Sequence, residues 1–342
     1  MHKILETRWP LIQAPIAGVQ GSALAIAVSN AGGLGFLPCA MLAPDAIRRE
    51  LTAIEAATDK AYGVNFFCHA SPQPNDAREA AWRRALAPYY REYDIDPASI
   101  AAGPGRLPFN DEAAAVLEEF HPRVVSFHFG LPSPAHVARV KAMGAKVLAC
   151  ATTVAEARWL EAHGADAIVA QGLEAGGHRG LFLTNDLTTQ IGTMALVPQI
   201  VRAVNVPVIA AGGIADANGI TAAMALGAAG AQIGTAYLLA AEATTSAVHR
   251  AAIASDAAYH TALTNLFTGR PARGIVNRLM KELGPIGDAP EFPLAVAALA
   301  PLRAKAEARG SGDFSPLWCG QNAAACEALP AAEITHKLAR AF

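Results

Sequence analysis

Eight short apolar runs recur along the chain, separated by longer stretches: Leu11–Pro15, Leu34–Leu37, Tyr62–Phe67, Val124–Phe127, Lys146–Cys150, Ala167–Gln171, Pro207–Ala211 and Ala231–Thr235. Nearly every run is continuously apolar, not alternating. That pattern suits parallel strands covered on both faces. Between them lie Ala-rich stretches of helical period, such as Ser22–Ala31, Thr153–His163 and Asp216–Leu226. Strand and helix alternating eight times is the order of an α/β protein built as a closed (β/α)8 TIM barrel. A doubly wound open sheet is the rival. It usually carries Gly-x-Gly-x-x-Gly after its first strand, where this chain has Ala17-Gly18-Val19-Gln20-Gly21.

The 342 residues exceed the roughly 250 of a plain barrel. Ser71–Glu119 is expected to insert helices after the third strand. Glu242–Pro301, with the turn-rich patch Thr268–Gly274, is expected to form a small, mainly helical lid domain. Residues 1–241 and 302–342 are left to the barrel. Lys and Arg total 27 against 29 Asp and Glu, a net charge of −2. No basic run stands out, so a nucleic-acid partner is disfavoured. The N-terminus is too polar for a secretory signal, and no uncharged run reaches membrane-spanning length. Cys39, Cys68, Cys150, Cys319 and Cys326 are odd in number and scattered, as in a reduced cytoplasmic protein. Apolar surface on the extra helices can support a homodimer.

In a barrel of this kind the C-terminal ends of the strands carry the active site. After the sixth run stands Gln171-Gly172-Leu173-Glu174-Ala175-Gly176-Gly177-His178-Arg179-Gly180. Its glycines let backbone approach a ligand closely, and His178 is the side chain suited to proton transfer near neutral pH. A solvated turn histidine is the bland reading; position favours function. Gly212 and Gly213 follow the seventh run, and Gln232-Ile233-Gly234-Thr235 closes the eighth. Together these loops match the usual phosphate site of the fold, with Thr235 adding a hydroxyl. Asn65 and Gln171 are amides at strand ends, as fit for a structural hydrogen bond as for the polar edge of a flat heterocycle. His128 ends the fourth run and either lines the pocket or packs. Cys68 and His69 are strand neighbours pointing to opposite faces, so they are no nucleophile–base pair. No Gly-x-Ser-x-Gly elbow or His-Glu-x-x-His pattern occurs.

Taken in order, Gln13–Gly18, Asn30–Gly35, Gly63–His69, Ala170–Gly180, Ala210–Asp216 and Gln232–Thr235 resemble the nitronate monooxygenase (2-nitropropane dioxygenase) family. The likeness runs from about residue 10 to 240 and continues through Phe267–Gly274 and Ser315–Gln321. The resemblance implies FMN across the barrel mouth. Its phosphate would lie near Gly212, Gly213 and Gln232–Thr235, with Ala14, Pro15, Ile16, Asn65, Gln171, Gly176 and Gly177 about the flavin. It implies His178 as the catalytic side chain, and nitronate oxidation by O2 to a carbonyl compound and nitrite without NAD(P)H. Some family members surround the substrate with tyrosines and a lysine. Here the region after residue 290 lacks tyrosine and offers Phe292, Phe314 and Trp318, with Lys305 nearby in sequence. His128 and Trp318 are the candidate substrate neighbours. Two rivals stand: an NAD(P)H-dependent quinone or enoyl-thioester reductase on the same FMN barrel, and a flavin-free lyase or isomerase holding a substrate phosphate.

Overall fold

The computed structural model describes residues 1–101 and 105–342. Of the expected insertion, residues 102–104 lie outside the described residues. In chain order the strands are β1 (Leu11–Gln13), β2 (Gly35–Pro38), β3 (Tyr62–Phe67), β4 (Val124–His128), β5 (Lys146–Ala151), β6 (Ala167–Gln171), the two-residue β7 (Gly177–His178), β8 (Val208–Ala211) and β9 (Gly230–Ile233). All but β7 join one eight-stranded parallel sheet, in the order β1-β9-β8-β6-β5-β4-β3-β2. The seam closes where Gln13 N donates to Leu34 O at 3.0 Å and Leu34 N to Leu11 O at 2.8 Å. The fold is the expected (β/α)8 barrel.

Continuous apolar runs become strands without a wet face: every residue of β3 and β6 is buried. Inside, Ile12, Leu34, Phe36, Val124, Leu148 and Ile209 fill the barrel. Gly63 makes room for this layer, since a Cβ there would come within 2.5 Å of the Phe36 ring. Outside, the connecting helices start on capping side chains. Asn110, Ser133, Thr153 and Asp216 each accept from the backbone N–H three residues on, satisfying a donor the helix itself cannot.

The insertion after β3 contains the helix Asp76–Glu92. It shares a second core with the helix Ala295–Ala308, in which Trp82, Leu86 and Tyr90 meet Leu299, Leu302 and Phe314. Tyr90 Oη donates to Ala298 O at 2.8 Å, and Lys305 Nζ donates to Tyr93 O and Asp94 O, both at 2.8 Å. The segment 242–301 adds strands to its expected helices. Beside the helices Ala247–Ile253 and Arg278–Glu282 it holds an antiparallel hairpin, β10 (Thr261–Thr264) and β11 (Ala272–Ile275), whose far edge pairs with β7. Each strand has only four residues, and β11 carries Arg273 and Gly274 where an alternating apolar pattern would announce a strand. The helix Ala295–Ala308 continues through Pro301. At the chain's end the helix Ala331–Leu338 lies on the barrel wall, with Ile334 and Leu338 packed among Leu24 and Val28.

Gly35 opens β2 directly beneath the helix Ser22–Asn30, where a Cβ would overlap the main chain of Ala25. Backbone cannot swing aside as a side-chain tip can. Gly35→Ala is therefore expected to cost about 1–3 kcal/mol, seen as a lower urea midpoint at unchanged slope.

Candidate active site

The loop that leaves β6 is glycine-rich, so its shape is set by the side chains that grip it. Gln171 holds both arms: its Nε2 donates to His178 O at 2.9 Å, and its Oε1 accepts from Gly180 N at 2.8 Å. Arg179 is wholly buried. It donates to Gly172 O at 2.6 Å, Gln171 O at 2.7 Å and Gln190 Oε1 at 2.9 Å. Gln190 Nε2 donates to Thr152 Oγ1 at 3.0 Å, and Thr152 Oγ1 to the buried carboxylate of Glu156 at 2.7 Å. Burial brings the Arg179 pKa down to about 10, still far above neutral, so it remains a cation among carbonyl dipoles.

His178 and Arg179 are neighbours in extended backbone, so when one side chain faces inward the other faces the cavity. Pairing of β7 with β11 sets His178 opposite Ala272. Its Nε2 lies 2.9 Å from Thr268 Oγ1. Phe292 and Trp318 flank the ring with centroids at 5.4 and 5.5 Å. Burial first, then the cations Arg106 and Arg270 and the imidazoles His128 and His69, hold the His178 pKa well below 6.5. The ring is neutral at physiological pH.

A cavity of about 180 Å³ opens at the C-terminal ends of the strands, with His178 in its wall. Ala14, Pro15, Ile16, Asn65, Gln171, Gly176, Gly177, Gly212, Gly213, Gln232, Gly234 and Thr235 all line it, as do His128 and Trp318. Ile233 does not. Its side chain is 1% exposed in the core beside Tyr237, because alternate residues of a strand face opposite sides; its carbonyl accepts from Ala14 N at 2.8 Å. Asn65 Nδ2 donates to Ser126 Oγ at 2.8 Å, and its Oδ1 has no protein donor among the described residues. His128 Nε2 lies 3.1 Å from His178 O, so it packs and lines at once. Phe314 is core, Lys305 binds carbonyls of the insertion, Tyr237 is buried against Thr335 and Tyr259 is exposed. None of these four lines the cavity.

At the opposite end, Gly212 and Gly213 take φ of 111° and 71°, backbone that L side chains strain to adopt. The helix that follows is already capped by Asp216 at 2.8 Å, so anion binding here falls to loop amides. Thr235 Oγ1 accepts from Gly320 N at 3.0 Å, leaving its own proton available, and Asn322 Nδ2 donates to Gly213 O at 3.0 Å. Sequence reasoning missed Met41, Phe67, Arg106, Gly320 and Asn322 in the wall, and Thr268 behind His178. They come from segments remote in the chain: Phe67 ends the third run, Thr268 and Gly320 fall in the patches Thr268–Gly274 and Ser315–Gln321, and Met41, Arg106 and Asn322 carried no signal. Arg106 is the one charged side chain among the described lining residues, and no carboxylate joins it.

The model of the family described as Nitronate monooxygenase matches residues 1–340. A nitronate monooxygenase of Pseudomonas aeruginosa is 43% identical over 98% of this chain and 97% of its own. One from Paraburkholderia phytofirmans is 42% identical over 97% and 91%. Among solved structures, nitroalkane oxidase from Streptomyces ansochromogenes superposes with a TM-score of 0.90 at 38% identity, covering 99% of this chain and 96% of that one. FabK from Thermotoga maritima gives 0.72 at 28% identity, covering 100% and 94%.

Three histidines at this site share one pH signature. Burial lowers His69 and His178 below 6.5 and takes His128 to about 4. Below pH 6.5 the unfolded chain binds protons that the folded chain refuses. Their stability contribution is therefore complete above 6.5 and lost as pH falls toward 4. Urea midpoints at about pH 7.5, 6 and 5 should decline in that order; a flat series would show that the imidazoles are solvated.

Proposed function

The chain belongs to the nitronate monooxygenase family and is an oxidoreductase, and we propose that it oxidises alkyl nitronates at the barrel mouth with bound FMN. O2 would be the electron acceptor, and a carbonyl compound and nitrite the products. The observation that carries this reading is a half-buried, neutral His178 in the wall of a cavity whose one charged side chain among the described lining residues, Arg106, is cationic.

The residues fit a flavin mononucleotide. Glycines after β6, β8 and β9 leave room for close approach of a flat ring system. Asn65 Oδ1 offers an acceptor to its polar edge. The Thr235 hydroxyl and the loop amides near Gly213 form a neutral, donor-rich end suited to a phosphate. FMN would supply the redox chemistry. The chain's own side chains bind, orient and move the proton. Arg106 attracts the nitronate anion, and Phe67, Phe292 and Trp318 restrict water around it. With a neutral nitroalkane, the His178 ring nitrogen that does not face Thr268 takes the α-proton. Thr268 holds the ring's orientation through Nε2. Five unpaired cysteines, three of them buried, fit a reducing compartment, and we place the enzyme in the cytoplasm.

The test is anaerobic addition of a nitronate to the purified yellow protein while the flavin bands are followed. Bleaching by nitronate and not by NADH is expected. The reverse result moves the assignment to an NAD(P)H-dependent reductase, and a protein that refuses FMN removes the cofactor. His178→Ala should keep the flavin spectrum and lose about 10²- to 10⁴-fold in turnover. For a nitroalkane, wild-type kcat/KM should stay level as pH falls through 6.5, because the base is unprotonated until well below that value. A break at 6.5 or above would exclude His178 as the base.

A further inference from the structure

We infer that a second, larger cavity beside the His178 cavity receives the apolar chain of an amphiphilic nitronate, so that the substrates carry an extended alkyl tail behind the anionic head. This rests on the reaction assigned above. The cavity has a volume of about 620 Å³ and lies between the turn after β2, the helix Asp76–Glu92, the segment 105–113 and the helix Ala295–Ala308. Leu42, Trp82, Leu107, Leu294, Val296 and Ala297 supply apolar wall. Glu79, Arg83 and Glu112 also contribute, yet the surface is mainly hydrocarbon. None of the residues that fill the barrel interior lines it; Ile47, Phe66 and Phe109 on the barrel side and Trp82 and Ala298 on the insertion side do.

Two residues, Met41 and Arg106, belong to the walls of both cavities. Arg106 therefore stands where the His178 cavity meets the apolar one. Its carbonyl lies 2.9 Å from His69 Nε2 and its guanidinium 5.5 Å from the Phe292 ring centroid, so its position is braced from two sides. Met41 gives a head group paired with this guanidinium an apolar neighbour that also lines the second cavity. Met41 and Leu107 are 49% and 70% exposed, and both line the second cavity. Large apolar side chains grouped at the mouth of an apolar cavity mark a place that a ligand covers. A two-carbon nitronate would leave that surface wet, whereas a longer chain would bury it.

The test uses the flavin-loaded enzyme and unreactive carboxylates, which present the same charge and a planar pair of oxygens. Butanoate and octanoate are titrated calorimetrically, and kcat/KM is compared for ethyl and octyl nitronate. Each fully buried methylene strengthens binding about fourfold, so octanoate should bind at least about tenfold tighter than butanoate even with partial burial. Ala297→Trp fills the cavity away from His178. It should remove most of that preference and leave butanoate binding and ethyl nitronate turnover unchanged. Leu107→Ser, at an exposed position, should weaken octanoate alone and serves if the tryptophan variant does not fold. Equal affinities in the wild type, or a preference that survives both variants, overturns the inference. Octanoate preference abolished by Ala297→Trp in an enzyme that oxidises no nitronate would uphold the tail site and sink the reaction. Turnover of nitronates without any chain-length preference would sink the tail site alone.

Discussion

The site hangs on one buried cation. Arg179 donates to the carbonyls of Gln171 and Gly172 where β6 ends and the glycine-rich loop begins. Four glycines in ten residues make a loop with a large conformational entropy to lose. A guanidinium with its donors fixed in a plane can hold two carbonyls and an amide together, which a lysine cannot. The charge is tolerable inside because Gln190 and Thr152 link it to the Glu156 carboxylate, which also accepts from Phe182 N at 2.7 Å. Once the loop is fixed on that side, extended backbone presents His178 on the other, and β11 completes its strand. The imidazole therefore depends on contacts made by the residue next to it, whose own side chain does not line the cavity.

Much of this was legible in the chain. The eight apolar runs became the eight barrel strands with ends displaced by at most two residues, because a strand covered on both faces needs apolar residues throughout and is interrupted only at its turns. The hairpin β10–β11 was not legible. Thr261–Thr264 and Ala272–Ile275 gain their pairing from each other and from the two residues of β7, a tertiary arrangement with no local periodicity. Nor did the sequence reveal that the insertion and the helix Ala295–Ala308 share a core, since each shows only that it has an apolar face.

At the site, the strand-end rule identified positions but not the tasks of the side chains. Gln171 lines the cavity, yet its amide spends a bond at each end on its own loop. Asn65 is similar at a glance but uses only its nitrogen on Ser126. Ile233 lies in the right segment and points the wrong way. Arg106 sits in an irregular segment after the insertion helix, where no pattern constrains it, and only the folded chain shows it beside His178. Whether a polar residue is a ligand or a brace depends on which of its atoms are already satisfied.

The shared core of the insertion has a bearing on how the protein is made. Tyr90 and Ala298, joined by one hydrogen bond, are 208 residues apart. Trp82, Leu86 and Tyr90 leave the ribosome long before Leu299 and Leu302 exist to cover them. At roughly 5–20 residues per second, that interval is on the order of 10 to 40 seconds. For that time the nascent chain displays an aromatic face with no partner of its own, and the barrel is nearly complete before the partner appears. The last third of the chain thus seals a surface that synthesis has held open, and a ribosome stalled before residue 295 would release a product without the cover that Leu299, Leu302 and Phe314 provide.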